Sequence, residues 1–388
     1  MKIAIDVRTI REGMTGIGHY TSHLIKHLLL LNTDNEFVFL WLRGQDPALR
    51  PSDSDTRSRY EYLEVDVDYE DHPRGDFWMH WELPKLLRER KVDVFHGPSF
   101  SVPHLRMGTA ARVVTIHDLT PFSFPDVYPL RFRLYLRMVM YFSLRAADRV
   151  LCGSDFVRQD IERLWPRSSK GKIRVAPLAS DFHFTPEAPE SFGRFQREMD
   201  LPEQYLLMVG TFERRKNPLF FLHLYEYFQS KGRDLPPVIW AGKLGYGADE
   251  LLPQFEPMIK RGRFRIIDCL DQGELSSLNH GATMLVYPSL GEGFGLPLVE
   301  ALACGLPVIA ADNSCQAEIV GDGGKVLPLK NLDLWADAIR ELLEDPQKRK
   351  EAHEKALRRA PAFSWMRTAE KTLEVYEDAA RLNRGGQT

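Results

Sequence analysis

Short apolar runs alternate with longer segments of helical periodicity along the 388 residues of this chain. They form two series: KIAID, FVFLWL, DVFHGP, ARVVTIHD and RVLCGS, then YLLMVGT, PVIWAG, RFRIIDC, ATMLVYP and LPVIAAD. Strands that are apolar throughout are typical of parallel sheets covered by helices on both faces. Two such series predict an α/β chain with two doubly wound, Rossmann-like domains.

The boundary between the domains is predicted from the segment 184–204, FTPEAPESFGRFQREMDLPEQ. Three prolines and several charges interrupt any periodicity there, as in a linker. We therefore expect an N-terminal domain over 1–183 and a C-terminal domain over 205–362.

The charge balance gives no general case for a nucleic-acid partner, because the chain has 51 Lys and Arg against 54 Asp and Glu, a net charge of -3. Any anion site must be local. The chain has four cysteines without C-x-x-C spacing, Cys152, Cys269, Cys304 and Cys315. They are predicted to be reduced thiols in the core of the protein. Asp6 and Arg8 lie where a signal peptide would be apolar, and no run approaches the ~18 apolar residues of a membrane span, so we expect a cytoplasmic protein.

The segment GEGFGLPLVEA follows the apolar run MLVYP and carries two carboxylates, Glu292 and Glu300, which bracket seven residues. Gly293 and Gly295 leave backbone N–H groups open to a ligand, and Pro297 suits the start of a helix. The segment therefore predicts an anion-binding cradle at a helix N-terminus, with Glu300 in the first helical turn.

Glu292, Glu300 and the intervening GFGLPLV resemble the E-x7-E signature of the retaining, group 1 (family-four) glycosyltransferases of the GT-B fold. Four further blocks occur in family order: IDVRTI…GIGHY, VVTIHDLTPFSFP, LLMVGTFERRKNP and FSWMRTAEKTLEVY. The resemblance spans nearly the whole chain. It implies two domains facing a central cleft, an acceptor side in the first, nucleotide-sugar binding in the second, and a C-terminal helix over 363–388 that crosses back to the first domain.

The resemblance places the basic pair of the family on Arg215 and Lys216, where they would neutralise the diphosphate and the charge that grows as it leaves. A run of charges alone is more often a solvated loop. The strand-to-helix context of TFERRKN and the E-x7-E partner favour a site. Arg214 falls where many relatives have proline, so we expect Lys216 to matter more than Arg214.

By resemblance Glu300 accepts hydrogen bonds from the ribose hydroxyls. The resemblance makes Glu292 a catalytic residue near the donor sugar, where it binds a hydroxyl or stabilises positive charge in an oxocarbenium-like transition state. Without the resemblance, Glu300 would be interpreted as a carboxylate near the helix N-terminus that only interacts favourably with the helix dipole. The family pattern also assigns donor contacts to the backbone N–H groups of Phe294, Gly295 and Leu296.

In the first domain His117 ends the strand VVTIH, and by resemblance it approaches the reacting sugar. A lone histidine at a strand end is more often structural, and Asp118 can equally cap a turn. Gly16 and Gly18 belong to a loop that, by resemblance, faces the donor phosphates and the acceptor. Tyr20 is expected in the core.

Two segments have alternative interpretations. Asp66 and Asp68 form a D-x-D, by which the other main glycosyltransferase fold holds a divalent metal, but the charge-dense stretch EVDVDYEDH favours solvated surface, and no metal is expected. The helical pattern over 128–145 carries four arginines among aromatic residues. It fits a buried helix with snorkelling arginines or a contact with an anionic membrane at the inner face of the plasma membrane.

The resemblance implies a metal-independent, retaining hexosyltransferase without a cofactor. The variant GTFERRKN, with GIGHY and HDLTPF, favours a mannose-like donor such as GDP-mannose and a saccharide or lipid-linked glycan acceptor in surface polysaccharide or glycoconjugate synthesis. Two alternatives are a sugar-nucleotide epimerase of the same fold, which needs acid and base groups around the sugar ring, and a noncatalytic nucleotide-sugar-binding protein.

Overall fold

The computed structural model describes residues 1–14, 16–51, 58–68, 71, 74–104 and 110–385. The chain divides into two compact units. Unit 1 comprises Met1–Phe122, Leu130–Leu178 and Ser364–Thr388, and unit 2 comprises Ser123–Pro129 and Ala179–Phe363.

Within the described residues, unit 1 contains a seven-stranded parallel sheet with the order β3-β2-β1-β4-β5-β6-β7. Its strands are β1 Lys2–Asp6, β2 Glu36–Leu42, β3 Arg59–Val65, β4 Val94–Gly97, β5 Ala111–Thr115, β6 Arg149–Cys152 and β7 Ile173–Val175. The strand order reverses between β1 and β4, which is the position where doubly wound sheets bind ligands.

The described part of unit 2 contains a six-stranded parallel sheet with the order β10-β9-β8-β11-β12-β13. Its strands are β8 Leu206–Val209, β9 Val238–Ala241, β10 Phe264–Ile267, β11 Met284–Tyr287, β12 Val308–Ala311 and β13 Lys325–Leu327. The order reverses between β8 and β11, so the loops that follow these two strands lie side by side.

Helices connect the strands, as parallel pairing requires. In chain order they are α1 Gly16–Leu30, α2 Arg74–Phe77, α3 Leu83–Glu89, α4 Thr120–Ser123, α5 Leu130–Ala146, α6 Asp155–Leu164, α7 Pro166–Ser169, α8 Phe192–Glu198, α9 Leu219–Ser230, α10 Ala248–Lys260, α11 Gln272–Gly281, α12 Leu296–Ala303, α13 Gln316–Val320, α14 Leu332–Glu344, α15 Pro346–Arg359 and α16 Trp365–Gly385. A π-helical turn, Trp78–Glu82, joins α2 to α3.

The α/β prediction with two doubly wound domains is confirmed, and all ten predicted strands are present. The sequence missed β3, β7 and β13, three strands at sheet edges. β3 alternates exposed and half-buried residues, while β7 and β13 have three residues each, so none forms a continuous apolar run.

The segment 184–204 contains helix α8 in place of an irregular linker. Phe195 of this helix is buried, and the chain has already entered unit 2 at Ala179. The prolines and charges around the apolar residues of this segment interrupt their helical periodicity, so the sequence pattern did not predict the helix.

Helix α16 belongs to unit 1, where it packs on α1 and β5. The indole of Trp365 is buried, and the ring of His23 stacks on it with centroids 4.9 Å apart. The C-terminal segment is therefore part of the same core as the first residues of the chain.

Among the helices that the structure describes, none combines the length and apolarity needed to cross a bilayer. The cysteines are free thiols, and Cys152, Cys304 and Cys315 are buried. Cys269 is exposed, so the prediction of a core position was wrong for this residue. It lies in the turn after β10 with a φ of 60°, where the chain leaves the sheet.

Candidate functional site

The basic loop of unit 2 lies between β8 and α9. Arg214–Lys216 form a single 3-10 turn that ends at Asn217, which has left-handed backbone angles (φ 58°, ψ 51°). The side-chain amide of Asn217 (Nδ2) donates to the carbonyl oxygen of Pro288, the residue directly after β11, at 3.1 Å. This contact holds the basic loop against the segment that carries Glu292.

Lys216 and Glu292 form a buried ion pair, each side chain 8% exposed, with Nζ and Oε1 2.6 Å apart. Nζ also donates to the hydroxyl of Tyr287 at 2.7 Å. Gly210 makes room for this lysine, because a Cβ at position 210 would lie 2.9 Å from Lys216 Cε. The ammonium has three N–H groups, and two of them are used by these contacts.

Arg215 lies between two carboxylates. Its Nη1 donates to Oε2 of Glu292 and to the carbonyl oxygen of Gly291, both at 2.9 Å, and its Nε donates to Glu213 at 3.0 Å. The two cations and two carboxylates of this cluster therefore balance one another. Arg215 makes a charge-assisted hydrogen bond with each of its two carboxylate neighbours, Glu213 and Glu292.

Glu292 is ionised in this surrounding. Burial opposes ionisation, but the charges of Lys216 and Arg215 outweigh it and hold the pKa of Glu292 at about 2. Burial lowers the pKa of Lys216, while Glu292 acts against that shift. The pair keeps its charges because each compensates the desolvation of the other.

Sequence reasoning missed the hydroxyls that complete this cluster. Ser289 donates to Glu292 Oε1 at 2.5 Å and Tyr287 does so at 3.2 Å. The backbone N–H of Glu292 donates to Ser314 at 3.0 Å. Tyr287 and Ser289 precede the motif at the end of β11, and Ser314 follows the buried strand β12. Their positions at the carboxyl ends of neighbouring strands could have predicted that these residues lie near the site.

Helix α12 begins directly after Gly295, which has left-handed angles (φ 85°, ψ 63°). Within the described residues, the structure gives no protein acceptor to the N–H groups of Phe294, Gly295 and Leu296. The ring of Phe294 packs edge-on against Phe363, with centroids 5.8 Å apart. The three N–H groups are therefore available to a ligand at the start of α12, and their binding of an anion stays a prediction.

Glu300 is the fifth residue of α12, so the prediction of a first-turn position was wrong. The helix begins at Leu296, one residue before the proline that suggested its start. The Glu300 residue is 8% exposed, and among the described residues no side chain or N–H donates to its carboxyl group. Burial, with a smaller effect of Asp181, raises the pKa of Glu300 to about 8.

A cavity of about 400 Å³ opens beside the cluster within unit 2. Arg214, Arg215 and Asn217 line it together with apolar side chains that include Phe124, Val127 and Leu219. Arg215 therefore contacts both this cavity and the two carboxylates of the cluster.

Arg214 lines the cavity, but the ion pair that the structure shows for it lies outside the cluster. Its side chain is 56% exposed and pairs with Glu250, which is 69% exposed. An exposed pair of this kind contributes little to stability.

In unit 1, His117 lies two residues after the end of β5. Its Nε2 is 2.7 Å from the carbonyl oxygen of Pro98, which can only accept, so Nε2 carries the proton and Nδ1 of the neutral ring is an acceptor. Burial lowers the pKa of His117, with the Pro98 carbonyl and Asp118 opposing it. Asp118 itself accepts from the N–H of Thr120 at 2.9 Å, which makes it a turn cap.

The glycines at the start of α1 differ. A Cβ on Gly18 would lie 2.6 Å from both Met14 Cβ and the Thr9 carbonyl oxygen, whereas Gly16 has open space around it. Position 18 therefore requires glycine because a larger residue would clash there. At position 16 the surrounding space is open. Tyr20 is 1% exposed, and its hydroxyl lies 3.1 Å from that of Thr115, which confirms its core position.

The D-x-D residues lie at the surface of unit 1. Asp66 pairs with Arg43 at 2.6 Å and Asp68 with Arg11 at 3.6 Å. The part of the chain that the structure describes contains no group of three or more His, Cys, Asp or Glu arranged to hold a metal ion.

Two solved structures define the class of fold. WaaG, a glycosyltransferase involved in lipopolysaccharide biosynthesis, superposes with a TM-score of 0.72 at 16% identity over 96% of this chain and 99% of that one. Anabaena Alr3699/HepE in complex with UDP and glucose has a TM-score of 0.71 at 16% identity, over 97% and 99%. The chain has the GT-B fold.

Sequence comparison identifies the family. Residues 14–182 match the profile of Glycosyltransferase Family 4, and residues 190–359 match that of Glycosyl transferases group 1. The chain is 30% identical to the O-antigen chain mannosyltransferase B of Escherichia coli, over 97% of this chain and 100% of that protein. The D-inositol 3-phosphate glycosyltransferase of Kineococcus radiotolerans is 30% identical over 61% of this chain and 59% of its own length. The protein belongs to the group 1, family-four glycosyltransferases.

Proposed function

We propose that this protein transfers a mannose-like hexose from GDP-mannose to a saccharide or lipid-linked glycan acceptor in cytoplasmic synthesis of a surface polysaccharide, with retention of configuration and without a metal ion. The observation that carries the proposal is the full-length similarity to an O-antigen chain mannosyltransferase, at 30% identity over 97% of this chain. The site in unit 2 supports it, because it combines an anion cradle with two buried or half-buried cations.

The diphosphate of the donor would lie at the N-terminus of α12, on the N–H groups of Phe294, Gly295 and Leu296. Arg215, reached from the cavity, and the third N–H of Lys216 would add positive charge where the leaving phosphate gains negative charge. Glu292 holds both cations in place. In this proposal it is a positioning residue, because its carboxylate already accepts from Lys216, Arg215, Ser289 and Tyr287.

The acceptor hydroxyl would attack the anomeric carbon on the face from which the diphosphate departs. The bond from that carbon to the phosphate oxygen breaks, the bond to the acceptor oxygen forms, and the released phosphate oxygen takes the hydroxyl proton. No protein base is needed. Glu300 would accept from the ribose hydroxyls, and His117 would offer Nδ1 to a hydroxyl of the donor sugar.

Product analysis tests the proposal. Purified protein is incubated with GDP-mannose, UDP-glucose or dTDP-rhamnose, each with and without a mannose-terminated oligosaccharide. We expect GDP release and an elongated oligosaccharide with GDP-mannose, and an anomeric NMR signal that shows retention. Conversion of the donor into another sugar nucleotide without acceptor would identify an epimerase, and binding without any conversion would identify a noncatalytic protein.

The same reaction tests the role of metal. Turnover is measured after treatment with EDTA and again after Mg²⁺ or Mn²⁺ is added. We expect the three rates to agree, because Arg215 and Lys216 can supply the positive charge that a metal would supply. Loss of turnover with EDTA and its recovery with a metal ion would overturn metal independence.

A further inference from the structure

A short segment that follows α4 belongs to unit 2. Ser123–Pro129 is part of this unit, whereas the residues on either side of it in sequence are part of unit 1. The segment contains a 3-10 turn, Pro125–Val127, in which the N–H of Val127 donates to the Phe124 carbonyl oxygen at 3.3 Å. The side chain of Val127 is buried. Phe124 is therefore held at the start of an anchored turn.

The ring of Phe124 packs against Gly291, the residue before Glu292. A Cβ at position 291 would lie 2.3 Å from Cε2 and 2.4 Å from Cζ of this ring, which is closer than real Cβ atoms come to any neighbour. Gly291 is not one of the described glycines with a positive φ. The Phe124 ring, and not the backbone angle, is therefore what requires glycine at position 291.

Gly291 belongs to a segment that is hydrogen-bonded to Arg215 in both directions. The N–H of Leu290 donates to the Arg215 carbonyl oxygen at 2.8 Å, and the hydroxyl of Ser289 lies 3.2 Å from the same oxygen. Nη1 of Arg215 donates to the carbonyl oxygen of Gly291 and to Glu292, both at 2.9 Å. A shift of this segment would move both acceptors of Nη1 and with them the guanidinium.

Phe124 also lines the cavity beside the cluster, together with Val127, Leu219 and Leu290. Packing on a cavity wall contributes to stability. By itself it predicts that a substitution of Phe124 affects folding but leaves the turnover of the folded protein unchanged. Contact with the residue whose carbonyl oxygen holds Arg215 predicts an effect on turnover as well.

We propose that Phe124 is a positioning residue of the donor site. Its ring packs on Gly291 and fixes the segment that carries Gly291 and Glu292, and these two residues fix the guanidinium of Arg215. Phe124 itself does not touch the donor. The proposal rests on the function proposed above, in which Arg215 stabilises the charge on the leaving phosphate.

Steady-state kinetics of the full chain, with a donor and an acceptor that the wild type converts, test this proposal. Gly291→Ala should lower kcat about tenfold with little change in the KM for the donor, because a displaced Arg215 loses a contact that strengthens in the transition state. Phe124→Leu, which lacks Cε2 and Cζ, should lower kcat less. Gly291→Ala should add little to the loss in the Phe124→Leu protein, because the two atoms it would displace are absent there.

Gly193→Ala is the matched control. A Cβ at Gly193, on α8 of the same unit, would meet Arg197 Nη1 at 3.7 Å, which is an ordinary contact. This variant should keep the kcat of the wild type, and circular dichroism should show the same folded content in all variants. An unchanged kcat in Gly291→Ala, or additive losses in Phe124→Leu/Gly291→Ala, would overturn the proposal.

Hydrogen exchange measured by mass spectrometry adds a test that needs no substrate. The peptide that contains Leu290 should exchange faster in Gly291→Ala than in the wild type, and Phe124→Leu should reduce this difference. Equal exchange in the wild type and Gly291→Ala would overturn the role of Phe124. Failure of the wild type to convert GDP-mannose, with faster exchange in Gly291→Ala, would instead overturn only the proposed donor.

Discussion

Lys216 has a structural contribution that the structure shows and a catalytic one that we propose. Its ammonium is buried and compensated by Glu292, with Tyr287 as a second partner. Removing the lysine would leave the buried carboxylate with one cationic partner fewer, so we expect a loss of stability in addition to any loss of turnover.

We predict that Lys216→Met lowers turnover by about 10²–10³, because one donor aimed at developing charge is lost. It should also lower the free energy of unfolding, by up to about 3 kcal/mol, since Arg215 and the hydroxyls still satisfy Glu292 in part. Steady-state kinetics at a temperature where the variant is fully folded separates the two effects.

Arg214→Ala is the control for this prediction, since its guanidinium pairs only with exposed Glu250 among the contacts described. It should change turnover and stability little, by about 0–1 kcal/mol. A larger loss of turnover in Arg214→Ala than in Lys216→Met would mean that the basic loop contacts the donor in another register.

Glu300 supports a second prediction. Its pKa of about 8 means that the carboxyl group of the ligand-free protein is mostly protonated at pH 7. If ribose hydroxyls donate to the ionised form, GDP binding at pH 7 should release a proton. Isothermal titration calorimetry in buffers of different ionisation enthalpy measures that release, and Glu300→Gln should abolish it. An equal proton release in wild type and Glu300→Gln would remove the ribose assignment.

At this scale the sequence identified the charged residues of the cluster but not the groups that orient them. Arg215, Lys216 and Glu292 belong to motifs with defined spacing, and the structure brings all three together. Ser289 and Ser314 are common residues in loops, and only the fold shows that they contact Glu292. Whether His117 reaches the donor stays a prediction.

At the scale of elements, the connection that leaves β8 begins with a glycine in a special backbone conformation. Gly210 has a φ of 138°, which L side chains rarely adopt, and its missing Cβ leaves space for Lys216. We predict that Gly210→Ala lowers turnover at least about tenfold and destabilises unit 2 by about 1–3 kcal/mol, from backbone strain and displacement of the lysine. Kinetics and denaturant unfolding measure both quantities.

Gly232→Ala serves as the comparison, because Gly232 also has a positive φ, 64°, but nothing within 4 Å of a Cβ at that position. It should lose stability, by about 1 kcal/mol, and keep its turnover. Equal turnover in the two variants would show that the space at Gly210 does not position Lys216.

The elements were predictable to different degrees. Central strands such as β8 and β11 are covered on both faces and therefore form apolar runs that a sequence shows directly. The edge strand β3 and helix α8 carry only part of such a pattern, since one side of each meets water. Their assignment depends on neighbours that are distant in sequence, which local patterns do not contain.

The two units differ in how protonation affects their stability. In unit 1, burial, with a smaller effect of His117, lowers the pKa of His96 to about 3, and its ring nitrogens contact the hydroxyls of Tyr376 and Thr115 at 2.7 and 2.8 Å. The unfolded chain binds a proton at His96 below its ordinary pKa of 6.5, and the folded unit does not. Stability from this group is complete above that pH and falls as the pH decreases toward 3. Glu300 of unit 2 has the opposite sign, because stability is lost as the pH rises from 4.5 to about 8.

We therefore predict that acidification from pH 7 to pH 5 weakens unit 1 relative to unit 2. Each buried neutral histidine costs up to about 1.4 kcal/mol per pH unit in this range. Glu292, with its pKa of about 2, loses its contribution only below pH 4.5 and does not obscure the effect.

Hydrogen exchange, measured by mass spectrometry at the two pH values and corrected for the intrinsic exchange rate, tests this prediction. The backbone amides of β4 and β5 should be less protected at pH 5 than at pH 7. His96→Gln should reduce this pH dependence, whatever its effect on absolute stability. Equal loss of protection in β4 and β11, or an unchanged pH dependence in His96→Gln, would contradict the assignment.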